Sequence, residues 1–203
     1  MPLFQEHSGH GQSGNSGSPK ELTKYSYLMV PEYMDFITPA EQQQLDNLHN
    51  AGENALGLLL KIEKRRKDTY LNKSSNIVLD RSFLTLFAYE YAMNGDDCSR
   101  FLADKKIMSQ VIQPDLVVYL DVNGDTRRQR CYDRGDFDMP EFYLDEKFNN
   151  KNKDFFLTKT NFQTLFLNTD NLNAQEMAKQ ISKIDTATTA HLHNFFYNQK
   201  LSR

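Results

Sequence analysis

Two short apolar runs, each closed by an aspartate, restrict the fold of this chain more than any other feature. Asn76-Ile77-Val78-Leu79 ends at Asp80, and Leu116-Val117-Val118-Tyr119-Leu120 ends at Asp121-Val122. Continuous apolar and β-branched residues without polar alternation are the pattern of a strand buried on both faces in a parallel sheet. A third strand is expected over Tyr25–Val30, stopping at Pro31, and a fourth over Thr164–Leu167. Helical spacing fills the intervals. A long helix is expected over Glu41–Lys67, with Leu45, Leu48, Ala55, Leu59 and Ile62 inward, and another over Phe83–Met93, stopped near Asn94-Gly95. A third covers Asp97–Val111 ahead of Pro114, and Asp125 is expected to cap a short helix carrying Arg127, Arg128, Arg130 and Arg134. The last, from Asn173 to about Ile184, turns Ala174, Met177, Ala178 and Ile181 inward. Strands alternating with helices give an α/β class, with a parallel sheet wrapped by helices.

The 203 residues suit one domain. Gly9–Pro19 has the composition of a flexible linker, so residues 1–20 are expected to be disordered and 21–203 to form the single α/β domain. After Thr186 the tail reads as either a final packed turn or a frayed end. The formal net charge of −3 argues against a general nucleic-acid binder, which needs a basic surplus. Lys61, Lys64, Arg65, Arg66 and Lys67 form the one basic run and read as the solvated end of a helix. Cys98 and Cys131 have no CxxC pairing, so both are expected as free thiols in a reducing compartment. No apolar stretch approaches the roughly 18 residues of a membrane span, and no leader pattern opens the chain. The expectation is a cytoplasmic protein without membrane or nucleic-acid partners.

Asp80-Arg81 stands where an apolar strand ends, and ligands bind at that end of a parallel sheet. An acid there can hold Mg²⁺ and an arginine can neutralise phosphate; a strand-end Asp that caps the next helix is the plainer alternative. The segment Asp80-Arg81-Ser82-Phe83-Leu84-Thr85-Leu86-Phe87-Ala88-Tyr89-Glu90 resembles the Asp-Arg-Tyr-x-x-Ser-x-x-Ala-Tyr-Gln segment of the thymidylate kinases. It is also similar to the acid-Arg-Ser motif of the deoxynucleoside kinases. Pro114-Asp115-Leu116-Val117-Val118-Tyr119-Leu120-Asp121-Val122, then arginines and Arg134-Gly135, resembles the fourth strand and lid of the same family.

The resemblance implies a P-loop kinase fold, with a lid at about 124–150, that transfers a phosphoryl group from ATP with Mg²⁺ to a nucleoside or nucleotide. It implies that Arg81 contacts the acceptor and Asp80 lies near the metal. Arg127, Arg130 and Arg134, at i, i+3 and i+7, would face the transferring phosphoryl group. Ser82, Tyr89 and Glu90 would lie beside the substrate; Glu90 replaces the Gln that reads a thymine edge and, when ionised, cannot donate a hydrogen bond. Val30-Pro31-Glu32-Tyr33-Met34-Asp35 looks like the deoxynucleoside-kinase segment whose Glu is the general base, so Glu32 points to a hydroxyl acceptor, while Ala88-Tyr89 points to a monophosphate. A homodimer is a further implication of the family.

One part is missing. Gly9, Gly11, Gly14, Gly17 and Lys20 share the composition of the Gly-x-x-x-x-Gly-Lys-Ser/Thr loop, but Pro19 and Glu21 break its pattern and no strand precedes it. The family places the strand before that loop between the strands at 76–80 and 116–122. Its absence would leave two strand edges with unpaired groups, each costing about 1–3 kcal/mol if buried. Either the chain is an altered or truncated start of a longer protein, or the sheet closes differently. A catalytically inactive kinase relative that binds a nucleotide or a protein is the alternative.

Overall fold

The structure, a computed structural model, describes residues 27–47, 52–73, 76–135 and 141–183. The expectations for residues 1–20, Leu48 and the tail after Thr186 lie outside them. In chain order the elements are β1 (Leu28–Val30), a 3₁₀ turn (Tyr33–Phe36), α1 (Pro39–Asn47), α2 (Gly52–Tyr70), β2 (Ile77–Leu79) and α3 (Phe83–Asn94). There follow α4 (Ser99–Ala103), α5 (Lys105–Met108), β3 (Val117–Asp121), α6 (Gly124–Arg134) and a 3₁₀ turn (Glu141–Leu144). The chain continues through α7 (Glu146–Asp154), a π turn (Phe155–Lys159), β4 (Thr164–Asn168) and α8 (174–183).

The class is α/β, as the alternation of patterns requires, but the sheet is divided. β1 pairs in parallel with β2, Leu28 opposite Ile77 and Val30 opposite Leu79. β3 pairs in parallel with β4, Val117 opposite Thr164 and Asp121 opposite Asn168. Among the described residues these are two separate two-stranded sheets. The expectation of strands buried on both faces is corrected accordingly: Ile77, Val78 and Leu79 are only half-buried, and Leu120 is 41% exposed. A strand with a neighbour along one edge alone lacks the side chains that would enclose it from the other.

α3 is apolar on every side, which marks a helix enclosed by others rather than one lying on a surface. Phe83, Leu84, Leu86, Phe87, Ala88 and Ala92 are all buried. Phe87 meets Phe83 edge to face at 5.6 Å and Phe101 at 5.7 Å, and Phe83 meets Phe162 at 5.9 Å. α2, α7 and the π turn pack around it. The Ser82 hydroxyl accepts from Leu84 N and the Thr85 hydroxyl from Ser82 N, a reciprocal cap. Gly95, left-handed at φ 79°, ends the helix where the Asn94-Gly95 signal placed it.

Elsewhere local chemistry moved the boundaries. The helix expected over 41–67 is described as α1 and α2, on either side of residues 48–51, which lie outside the described residues, and α1 begins at Pro39, where Thr38 and Glu41 cap it reciprocally. The helix expected over 97–111 breaks at Asp104, whose carboxylate accepts from Lys106 N and Ile107 N and starts α5 afresh. α6 is capped by Asn123, which accepts from Thr126 N; Asp125 instead pairs with Arg128. α7 and its π turn were not expected. The extra residue of a π turn lets Phe155 and Phe156 both point inward, to 0% and 8% exposure.

The basic run is solvated in part: Lys61 and Lys64 are exposed, and Arg65 and Lys67 are partly exposed. Lys64 is exposed and pairs with Asp68, but Arg65 forks onto Glu41 at 2.8 and 2.7 Å and also donates to Phe36 O. Arg66 is completely buried. Glu41 ties α1 to α2, and its hydrogen bonds from Arg65 and Thr38 lower its pKa from 4.5 to about 2.

Two measurements follow. Phe87→Ala is expected to lower the unfolding free energy by about 3–5 kcal/mol, against under about 0.5 kcal/mol for Leu157→Ala at an exposed position. Denaturant titration reads both. Because the folded-state pKa of Glu41 is depressed, its contribution is present above about 4.5 and lost as the pH falls towards 2. Glu41→Gln should therefore lower Tm at neutral pH, with the gap to the unsubstituted chain closing through that acid window.

Candidate functional site

The turns after β1 and β2 leave the same end of one sheet, because Val30 lies opposite Leu79 and Asp80 N donates to Val30 O. Glu32 follows the first strand and Arg81 the second. Arg81 Nη1 reaches Glu32 Oε2 at 3.1 Å, with the two side chains 47% and 25% exposed. Burial opposes the charge on Arg81, yet Glu32, Tyr33, Tyr143 and Asp80 outweigh it, and its pKa is raised. The pair is thus ionic, partly open to water, and set between two strand ends. An exposed pair of this kind is worth only about 0.2–1 kcal/mol to the fold.

Tyrosines surround it. Tyr33 is buried, and that burial raises its pKa against the opposing pull of Arg81, which also hydrogen-bonds it. Tyr89 lies one helical turn and a half along α3, with its ring edge-on to Phe142 at 5.6 Å and Phe148 at 5.5 Å. Burial, then Tyr143 and Tyr33, raise the pKa of Tyr89. Its hydroxyl is buried and has no hydrogen-bond partner among the described residues. A buried, unmatched phenol costs free energy and needs an explanation; here it lies near Tyr143 and Tyr33, the two tyrosines that also act on Arg81.

The remaining expected residues are distributed as follows. Ser82 uses its hydroxyl in the cap of α3. Glu90 accepts from Asn94 Nδ2 at 2.7 Å, one turn along the same helix. Asp80 is half-buried, and its carbonyl accepts from Arg66 at 3.1 Å. Arg127 donates to Val122 O, and Arg130 donates to the Thr169 hydroxyl and carbonyl and to Leu172 O. These two arginines therefore bind the main chain at the ends of β3 and β4. Arg134, at the exposed end of α6, donates to Cys131 Sγ. α6 packs against Glu141–Leu144, the turn that carries Tyr143 into the cluster.

Sequence reasoning missed Tyr33, Tyr143, Phe142 and Phe148 as site neighbours, and it missed Arg66. Glu63-x-x-Arg66 carried the only signal, an acid and a base at i, i+3 on the stripe that also holds Leu59 and Ile62.

Among the described residues no group of three or more His, Cys, Asp or Glu could cage a metal. Mg²⁺ often needs only one or two protein carboxylates when phosphate oxygens and water complete its shell, and Asp80, half-buried at the end of β2, is a carboxylate that could supply one. No described helix is long and apolar enough to cross a membrane. No protein-family model matches the sequence. No curated protein matches it either.

Tyr89→Phe removes the unmatched hydroxyl and keeps the ring. It should raise the unfolding free energy by about 1 kcal/mol, read by denaturant titration; a loss of that size would mean that the hydroxyl has a partner in the folded protein.

Proposed function

We propose that the chain is a relative of the P-loop nucleoside and nucleotide kinases whose Glu32–Arg81 site takes the acceptor, a deoxynucleoside or its monophosphate. The observation that carries this reading is the 3.1 Å contact between Glu32 and Arg81, contributed by two strand ends far apart in sequence. The resemblance implied Glu32 as a general base and Arg81 as a contact to the acceptor, and two residues that serve one acceptor must lie within reach of each other.

Chemically, an acceptor hydroxyl entering between the two charges would attack the γ-phosphorus of ATP and give up its proton to the Glu32 carboxylate, the bond to the β–γ bridging oxygen breaking and ADP leaving, while the Arg81 guanidinium holds the negative charge that grows on the transferring group. Tyr89 backs the nucleobase side with an aromatic wall shared with Phe142 and Phe148, and Glu90 borders that side. Ser82 fixes the start of α3 and so the depth of the site. Arg127 and Arg130 keep the β3–β4 ends in register and add positive potential, and Arg134 adds its charge from the end of α6. Asp80 would hold Mg²⁺, which with ATP supplies charge neutralisation on the donor phosphates.

A second reading rests on one sequence fact: no Gly-x-x-x-x-Gly-Lys-Ser/Thr loop occurs in the chain. A nucleotide- or protein-binding relative without turnover needs no such loop.

One experiment separates the two. The chain is exposed to a panel of deoxynucleosides and monophosphates, first alone with Tm as the readout, then with ATP and Mg²⁺ with product as the readout. At least one acceptor is expected to raise Tm. Glu32→Gln should keep that shift and lower turnover by about 10²–10⁴-fold, whereas Arg81→Ala should lose both. Binding without turnover would select the second reading. Neither binding nor turnover with any member of the panel would refute the first reading and the nucleotide-binding form of the second.

A further inference from the structure

We infer that Arg66 is a positioning residue: from inside the core it grips the main-chain turn that aims Arg81 at Glu32. α2 places Glu63 and Arg66 on its buried stripe, with their side chains 1% and 0% exposed, and Arg66 Nη1 reaches Glu63 Oε1 at 2.6 Å. The other arm, Nη2, donates to the carbonyls of Asp80 at 3.1 Å and Arg81 at 3.3 Å. Two successive carbonyls can face one guanidinium only if the chain turns sharply between them. Arg81 has φ 57°, a left-handed conformation that residues with a Cβ adopt reluctantly and that surroundings must impose.

The cost of this arrangement is visible. Glu63 Oε2 and Arg66 Nε are buried with no hydrogen-bond partner among the described residues, and burial holds the Glu63 carboxyl above its ordinary value against the pull of Arg66. A pair of apolar side chains would fill the same space at less expense. What apolar residues could not do is hold two carbonyls, and lysine, a point charge without a planar fork, would not hold Glu63 and both carbonyls in this fixed geometry. The pair therefore secures geometry, and the geometry it secures is that of Arg81. The inference rests on the proposed function only for what Arg81 does once aimed.

The test uses the full chain, with the Arg81 Nε–Hε resonance as the reporter of its ordering against Glu32. Arg66→Met alone leaves Glu63 buried without its partner and can fail to fold, so the deciding variant is Glu63→Leu/Arg66→Met, which removes both charges and keeps the volume. It is expected to melt at or above the Tm of the unsubstituted chain while the Arg81 signal moves into the envelope of solvent-exposed arginines. Arg66→Lys should fold and show the same loss. In the unsubstituted chain, Arg66 Nη–H protons should exchange with solvent far more slowly than those of Arg128. A folded double variant with an unchanged Arg81 signal, or fast exchange at Arg66, would overturn the inference. A titration with deoxynucleosides and their monophosphates in parallel keeps the two claims apart. If neither kind binds the unsubstituted chain, the proposed function fails while the Arg81 signal still decides the role of Arg66.

Discussion

Everything in this structure is arranged around the need to enclose α3. Its apolar residues occupy every side, so no orientation on a surface could satisfy it, and Phe83 and Phe87 are removed from water only when α2, α7, the π turn and Phe101 and Phe162 close round them. Two parallel sheets of two strands each could not form a stable core unaided. They share the one built on α3, to which Tyr33 and Phe36 contribute from the β1–β2 side and Val117, Tyr119 and Phe166 from the β3–β4 side.

The same helix places the chemistry. Its cap begins at Ser82, directly after the left-handed turn at Arg81, so the demand for a sharp helix start and the demand for an outward guanidinium are met by one turn. Arg66 reaches that turn from beneath, and Glu32 and Tyr33 reach it from the neighbouring strand end. Tyr89 then carries the influence of the site along α3 to the aromatic turn at Phe142 and Tyr143. The result is a buried pair, Glu63–Arg66, below an open pair, Glu32–Arg81. The first is held away from water and sets geometry; the second is left wet and able to meet a ligand.

What could be read from the residues was what depends on neighbours in sequence. The aspartates at 80 and 121 do mark strand ends, and α3 does stop at Gly95, because apolar runs, caps and left-handed glycines act locally. Where a single polar side chain could restart a helix, as Asp104 does, periodicity alone could not find the break. The fate of the basic run was hidden for another reason: Arg65 and Arg66 look alike in sequence, but their partners, Glu41 and Phe36 O for one and the Asp80 and Arg81 carbonyls for the other, come from distant segments. Strand burial was overestimated because an apolar run says what a strand could bury and nothing about how many strands lie beside it. Glu32 and Arg81 meet across two strand ends, and Arg127 and Arg130 turn to main-chain carbonyls, pairings that no spacing rule could reveal.

The central claim is that an acceptor oxygen enters between Glu32 and Arg81. A crystal structure of the chain soaked with a deoxynucleoside tests it most directly. The account predicts the 5′ oxygen within hydrogen-bond reach of both side chains, with the 3.1 Å ion pair opened to admit it. A nucleoside seated instead in the 570 Å³ cavity beside Lys105, Met108 and Lys159, with the Glu32–Arg81 contact undisturbed, would contradict it.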